Sequence, residues 1–230
     1  SAINTLTNTG LISAANPNWT AYGISVSGTS TITTLTNSGT IIAQGSSYAY
    51  GVSLSTNSSI SSLVNSGTIM GNQSDPISGS YGGGIILTKT SSINTLTNTG
   101  LISGTATDSG VGVYVYNSSS ITTLTNSGTI SGLGRITDGT GIAISNDSSI
   151  NTLTNTGVIS GSTSGGGDGT GANGVWLDYT SSITTLNNSG TISAVAANDS
   201  AFGVNLNSAN NTITTLTNTG MISGSITGAG

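Results

Sequence analysis

The chain has 230 residues, a net charge of −5, and only two cations, Lys89 and Arg135. So few cations exclude nucleic-acid binding, which needs clustered Lys and Arg to displace counterions, and the absence of Cys excludes disulfide and zinc frameworks. Hydrophobic residues make up 33% of the chain and recur at fixed positions, so a packed fold is expected where low charge alone would suggest a disordered or fibrous chain. Thr, Ile, Val and Ser between frequent Gly and Asn favour strands and turns, and no window carries helical periodicity.

From the N-terminus, the first element is Ile3-x-x-Leu6-x-Asn8-x-Gly10-x-Ile12, and it occurs eight times in all. The copies are anchored at Ile3, Ile32, Ile60, Ile93, Ile121, Ile150, Ile183 and Ile213, spaced 29, 28, 33, 28, 29, 33 and 30 residues apart. A second element, Gly-[Ile/Val]-x-aliphatic, follows each of the first seven and begins at Gly23, Gly51, Gly84, Gly112, Gly141, Gly174 and Gly203. Nearly all variation in length falls between the two elements, with the long versions running from Met70 to Gly84 and from Ser160 to Gly174. Periods of this length mark a solenoid.

Side chains alternate between the two faces of a strand. Leu6, Asn8, Gly10 and Ile12 share one parity and point inward; Ile3 has the wrong parity, so a corner is expected between Ile3 and Leu6. Three short strands per coil follow, near Thr5–Asn8, Leu11–Ser13 and Gly23–Val26. The predicted fold is all-β: a right-handed, single-stranded parallel β-helix of about eight coils, forming a single domain over residues 1–230. The chain begins and ends inside the repeat, so a longer parent protein is expected. No signal peptide or membrane span is visible in this segment.

The residues Asn8, Asn37, Asn65, Asn98, Asn126, Asn155, Asn188 and Asn218 fall in one inward column. An unpaired buried amide is costly, so these amides are expected to bond to one another and to turn backbone as a structural ladder. The Gly two residues after each Asn fits either a positive φ or a close backbone approach.

Catalysis by a polysaccharide-active β-helix needs paired carboxylates, metal-binding acids or a basic residue in a groove. Five acids fall in the variable segment, Asp75, Asp108, Asp138, Asp168 and Asp199, each in a different context and without a Lys, Arg or His nearby except Arg135 beside Asp138. They read as turn residues, with a calcium column as the alternative. The run Gly165 to Gly171 is similar to a calcium-binding nonapeptide but occurs once, so neither a metal site nor a cofactor is expected. Thr-x-Thr pairs such as Thr34/Thr36 and Thr123/Thr125 resemble an ice-binding array, interrupted at Ser62/Val64 and at Asn187. Aromatic residues concentrate at one edge. Trp19, Tyr22, Tyr48, Tyr50, Tyr81 and Phe202 are expected in the variable loop or at its end, and Tyr114, Tyr116, Trp176 and Tyr179 in or after the third strand.

The runs Thr33-Thr34-Leu35-Thr36-Asn37-Ser38-Gly39-Thr40-Ile41 and Thr122 to Gly132 resemble the repeats of autotransporter passenger domains of Gram-negative bacteria. The resemblance covers the whole chain. It implies secretion through a C-terminal β-barrel and an extracellular or cell-surface location. The expected function is non-enzymatic: adhesion or self-association, with the chain itself or a protein or glycan of a host or neighbouring cell as partner. The candidate binding residues are the loop aromatics and loop Asp. A structural spacer or head-to-tail filament subunit is the alternative, followed by ice binding and then a polysaccharide-active enzyme.

Overall fold

A computed structural model describes residues 1–74, 79–165 and 171–228. The first coil consists of β1 (Ala2–Asn8), β2 (Leu11–Asn16) and β3 (Thr20–Ser27). Each strand stacks on its equivalent in the next coil, in parallel and without slippage. The result is three sheets, of eight, eight and seven strands, hereafter the first, second and third sheets. Seven full turns are followed by an eighth whose strands, Thr212–Asn218 and Met221–Ile226, extend the first and second sheets. Among the described residues there is no helix. The chain is therefore a parallel β-helix with three strands per coil, as the repeat predicted.

Register follows from sequence identity between coils. Ile3 pairs with Ile32, Leu6 with Leu35 and Asn8 with Asn37, and the same columns continue along the first sheet. A slip of one residue would turn every Leu and Asn to solvent, so the buried face fixes the pairing. The Leu column from Leu35 to Leu186 is fully buried. It joins the Ile column of the second sheet and the Val, Ile and Leu of the third in one continuous core.

The three corners of the coil differ in kind. The predicted corner between Ile3 and Leu6 is a bend inside one strand: β1 runs unbroken, but its pairing skips Asn4 and resumes at Thr5, which lets Ile3 and Leu6 both face inward. The third-sheet strands bend in the same way at their Gly. Pairing skips Gly112, for example, between Val111 and Val113. A Cβ on Gly112 would lie 2.6 Å from both the Gly141 carbonyl oxygen and Ile130 Cγ2, so the bend presses this backbone into the core. At the corner after each Asn, close approach, the second of the two roles considered for the glycine, is the one observed. A Cβ on Gly39 would sit 2.1 Å from the Gly10 oxygen, and among the described residues positive φ at glycine is confined to Gly28, Gly79 and Gly171.

Third-sheet strands return to the first sheet through a stacked two-residue left-handed turn that the sequence did not signal. Gly28–Thr29, Thr56–Asn57, Lys89–Thr90, Asn117–Ser118, Asn146–Asp147 and Tyr179–Thr180 all have φ between 46° and 63°. Left-handed conformations are costly for residues with a Cβ, and here ladder bonds hold them: Thr29 N–H donates to the Thr56 oxygen at 2.9 Å and Ser118 N–H to the Asn146 oxygen at 2.8 Å. In the seventh coil the one-residue insertion is absorbed at this corner, where Asn210 alone takes the left-handed φ.

The second-to-third-sheet corner takes the remaining variation in length. Both long segments, between Gln73 and Tyr81 and between Thr163 and Ala172, leave the second sheet and enter the third, as their shared place in the repeat predicted.

Candidate functional site

Among the described residues, two of the three sheets, the first and the second, have no charged side chain in their strands. On the first sheet, outward Thr columns stand in register from coil to coil, interrupted at Val64 and Asn187.

The Asn ladder is continuous. Each Nδ2 donates to the Oδ1 of the next coil, from Asn8 to Asn218, at 2.7–2.8 Å. The same Nδ2 contacts two turn carbonyls; for Asn98 these are Gly100 O at 3.1 Å and Thr129 O at 3.0 Å. A second buried polar column went unread in the sequence, although its signal, a Ser two residues before the anchor Ile, was present at every anchor but Ile213. Ser58 N–H donates to Ser91 Oγ, Ser91 N–H to Ser119 Oγ and Ser119 N–H to Ser148 Oγ at 3.2–3.3 Å. Both columns are engaged with buried backbone.

The outer face of the third sheet is different. Tyr22, Tyr48, Tyr50, Tyr81 and Phe202 belong to its strands rather than to the preceding loop, because these strands begin two or three residues before the Gly bend. Trp19 alone of the expected loop aromatics lies in the loop, 71% exposed. In-register pairing places Tyr22 beside Tyr50 and Tyr48 beside Tyr81. Four rings therefore form one stack. Centroids lie 5.9 Å apart for Tyr22–Tyr50, 6.3 Å for Tyr50–Tyr48 and 6.0 Å for Tyr48–Tyr81, with interplanar angles of 26°, 20° and 9°. Such offset stacks are favourable beyond the area they bury.

Large and small residues alternate between neighbouring outward columns. Tyr50 is paired across to Gly83, and a Cβ there would lie 2.9 Å from the Tyr50 ring, so the glycine lets the ring lie flat on the sheet. In the adjacent column Tyr114 and Trp176 flank Ala143. Two depressions result. An open trough of about 500 Å³ runs beside Tyr22, Tyr48 and Tyr50 over Ser25, Ser27, Ser53 and Ser55, with Lys89 at one end. A cleft of about 70 Å³ lies between Tyr81, Tyr114 and Trp176, with Ser109, Asp138 and Thr140 at its edge.

Burial pushes the Tyr50 and Tyr114 phenols well above their ordinary range, and neighbouring tyrosines add to the shift. The Tyr81 phenol is raised by burial first and then by the Asp108 and Asp138 carboxylates. These rings are uncharged hydrogen-bonding groups at neutral pH.

Of the five acids singled out, Asp75 and Asp168 lie outside the described residues, as does most of the run from Gly165 to Gly171. Asp108 accepts hydrogen bonds from the Gly79 N–H at 2.6 Å and the Thr137 hydroxyl at 2.7 Å, and Asp138 accepts one from Ser109 at 3.4 Å. Asp199 accepts from the Ser200 N–H at 2.6 Å. These are turn-holding roles. Among the described residues, no three acids come together as a metal site. Asp178, buried beside the left-handed turn, accepts from the Tyr179 N–H at 3.0 Å and from Ser208. Among the described residues, three buried side-chain polar atoms lack a partner, Thr163 Oγ1, Asn173 Nδ2 and Trp176 Nε1, all in the coil that carries the second long loop.

The fold defines the class: a parallel β-solenoid of three-strand coils with one aromatic face. No family model, curated protein or solved structure matches the chain.

Proposed function

We propose that this chain is a non-enzymatic passenger segment of the kind its repeats resemble, exported to a cell surface, and that it acts in adhesion or self-association through the outer face of the third sheet. The observation that carries the reading is the four-ring stack of Tyr22, Tyr50, Tyr48 and Tyr81 beside an open trough. A rigid ladder holds these rings in place before any partner arrives, so little conformational entropy is lost on contact. Tyrosine combines a large apolar surface with a polar tip, the composition favoured at contact surfaces. The acids Asp108, Asp138 and Asp199 are engaged in holding turns, which supports contact over turnover.

A rigid spacer is the second reading. The uncharged strands of the first and second sheets favour it, since they present outward Thr and Ser without projecting groups. A cell- or bead-aggregation assay separates the two, comparing wild type with a variant in which Tyr22, Tyr48, Tyr50 and Tyr81 are changed to Ser. Loss of aggregation supports the contact surface; equal aggregation leaves the spacer.

A further inference from the structure

Resting on that reading of the third sheet as a contact surface, we infer that the trough beside Tyr22 and Tyr50 binds an uncharged polysaccharide lying along the solenoid axis.

The trough has two unlike sides. Its wall is aromatic: Tyr22 and Tyr50 are paired in register, with rings 5.9 Å apart and nearly parallel. Its floor is hydroxylated. Ser25 pairs with Ser53, and Ser27 with Ser55 and then Thr88, so two rows of hydroxyls run along the axis beside the rings, the first ending at Ile86. A sugar ring has the same division, with an apolar face of C–H groups and an edge of hydroxyls. An aromatic wall takes the face, and a serine floor exchanges hydrogen bonds with the edge. A purely apolar ligand would leave the serine row unpaired, and burying unpaired hydroxyls is unfavourable.

Length and repeat fit a chain better than a small molecule. Coils follow one another at ~4.8 Å, close to the advance of one sugar along an extended polysaccharide. At about 500 Å³ the depression is open and reaches across three coils, with space for a few sugars. Beyond it the Tyr48–Tyr81 stack continues the aromatic surface to the cleft at Tyr114 and Trp176.

Charge selects among polysaccharides. Lys89 is the one cation lining the trough, while Asp138 edges the next cleft and Asp108 lies near Tyr81. A polyanion lying along this face would gain one attraction and then meet carboxylates, on a chain whose net charge is −5. A neutral polymer incurs neither repulsion nor the cost of stripping water from its own charges.

Affinity electrophoresis of the whole chain in native gels tests the inference, with hydroxyethyl cellulose, galactomannan or alginate cast in the gel. At least one neutral polymer is expected to retard the protein and alginate is not. The double variant Tyr22→Ala/Tyr50→Ala should weaken that retardation about tenfold, the loss expected for two ring contacts. Tyr50→Trp, which keeps a flat ring, should retain it. Matching circular dichroism and melting curves confirm that each variant is folded. Retardation by alginate alone, by no polymer, or by a neutral polymer equally in wild type and the double variant overturns the inference. If aggregation depends on the tyrosines but no neutral polymer retards the protein, the glycan is wrong and the contact surface stands. If retardation depends on the tyrosines but aggregation does not, binding is right and the aggregation role is wrong.

Discussion

Asn98 Nδ2 donates to Asn126 Oδ1 at 2.8 Å across 28 residues of chain, and Asn126 Nδ2 donates in turn to Asn155. Each amide is both donor and acceptor in a buried column, so removing one leaves partners on both sides unsatisfied. Asn126→Leu should destabilise the fold by about 1–3 kcal/mol, because buried orphaned groups cost that much each and the added apolar surface offsets only part. Urea or thermal melting checks this; an unchanged midpoint would mean that the ladder contributes nothing.

The serine column makes a parallel prediction. Ser91 Oγ accepts the buried Ser58 N–H at 3.3 Å and donates to Thr88 O at 2.8 Å. Ser91→Ala should cost about 1–2 kcal/mol, and hydrogen exchange at Ser58 should accelerate. Slow exchange at that amide in the variant would contradict the assignment.

The left-handed turns predict a gain. Thr180 is exposed, β-branched and held at φ 60°. Glycine removes a strain of about 1–2 kcal/mol and adds about 0.5–1 kcal/mol of unfolded-state entropy. Thr180→Gly should therefore stabilise by about 0.5–1 kcal/mol, read as a higher melting temperature. A lower one would show that the threonine side chain is needed there.

Alkali should loosen the aromatic face. The Tyr50, Tyr81 and Tyr114 phenols are raised by burial, so the folded state holds these protons more tightly than the unfolded chain. Their contribution to stability is full below the unfolded value of about 10 and is lost as pH rises past it. Melting temperatures should fall above about pH 10, and less steeply in Tyr50→Phe/Tyr114→Phe. Phenolate absorbance rising in a single step near pH 10, without a delayed fraction, would contradict this.

Much of the fold was legible because one pattern repeats. The spacing of Ile, Leu and Asn gave the coil, the inward columns and the corner at which length varies. Two features escaped because they are conformational. The bend at Gly112 turns both Gly112 and Val113 toward the core while Val111 stays outward in the Tyr50 column, a shift of phase that simple alternation misses, whereas the corner between Ile3 and Leu6 was legible from parity. The left-handed pairs use Gly, Thr, Asn, Lys, Ser, Asp and Tyr, so no residue type signals them. The aromatic site was half legible. Its tyrosines were conspicuous, but placing the start of the third strand at the Gly put them in a loop, and only the paired strands show Tyr22 against Tyr50.

The central claim, that one face of three makes contacts, is tested most directly by adding charge to each face separately. Thr97→Lys/Thr125→Lys alters the first sheet, Ser103→Lys/Ser131→Lys the second and Ser27→Lys/Ser55→Lys the trough of the third, each a pair of outward positions. With equal display on beads, only the third pair should abolish aggregation or attachment. Loss from the first or second pair, with the third retaining wild-type behaviour, would contradict the account.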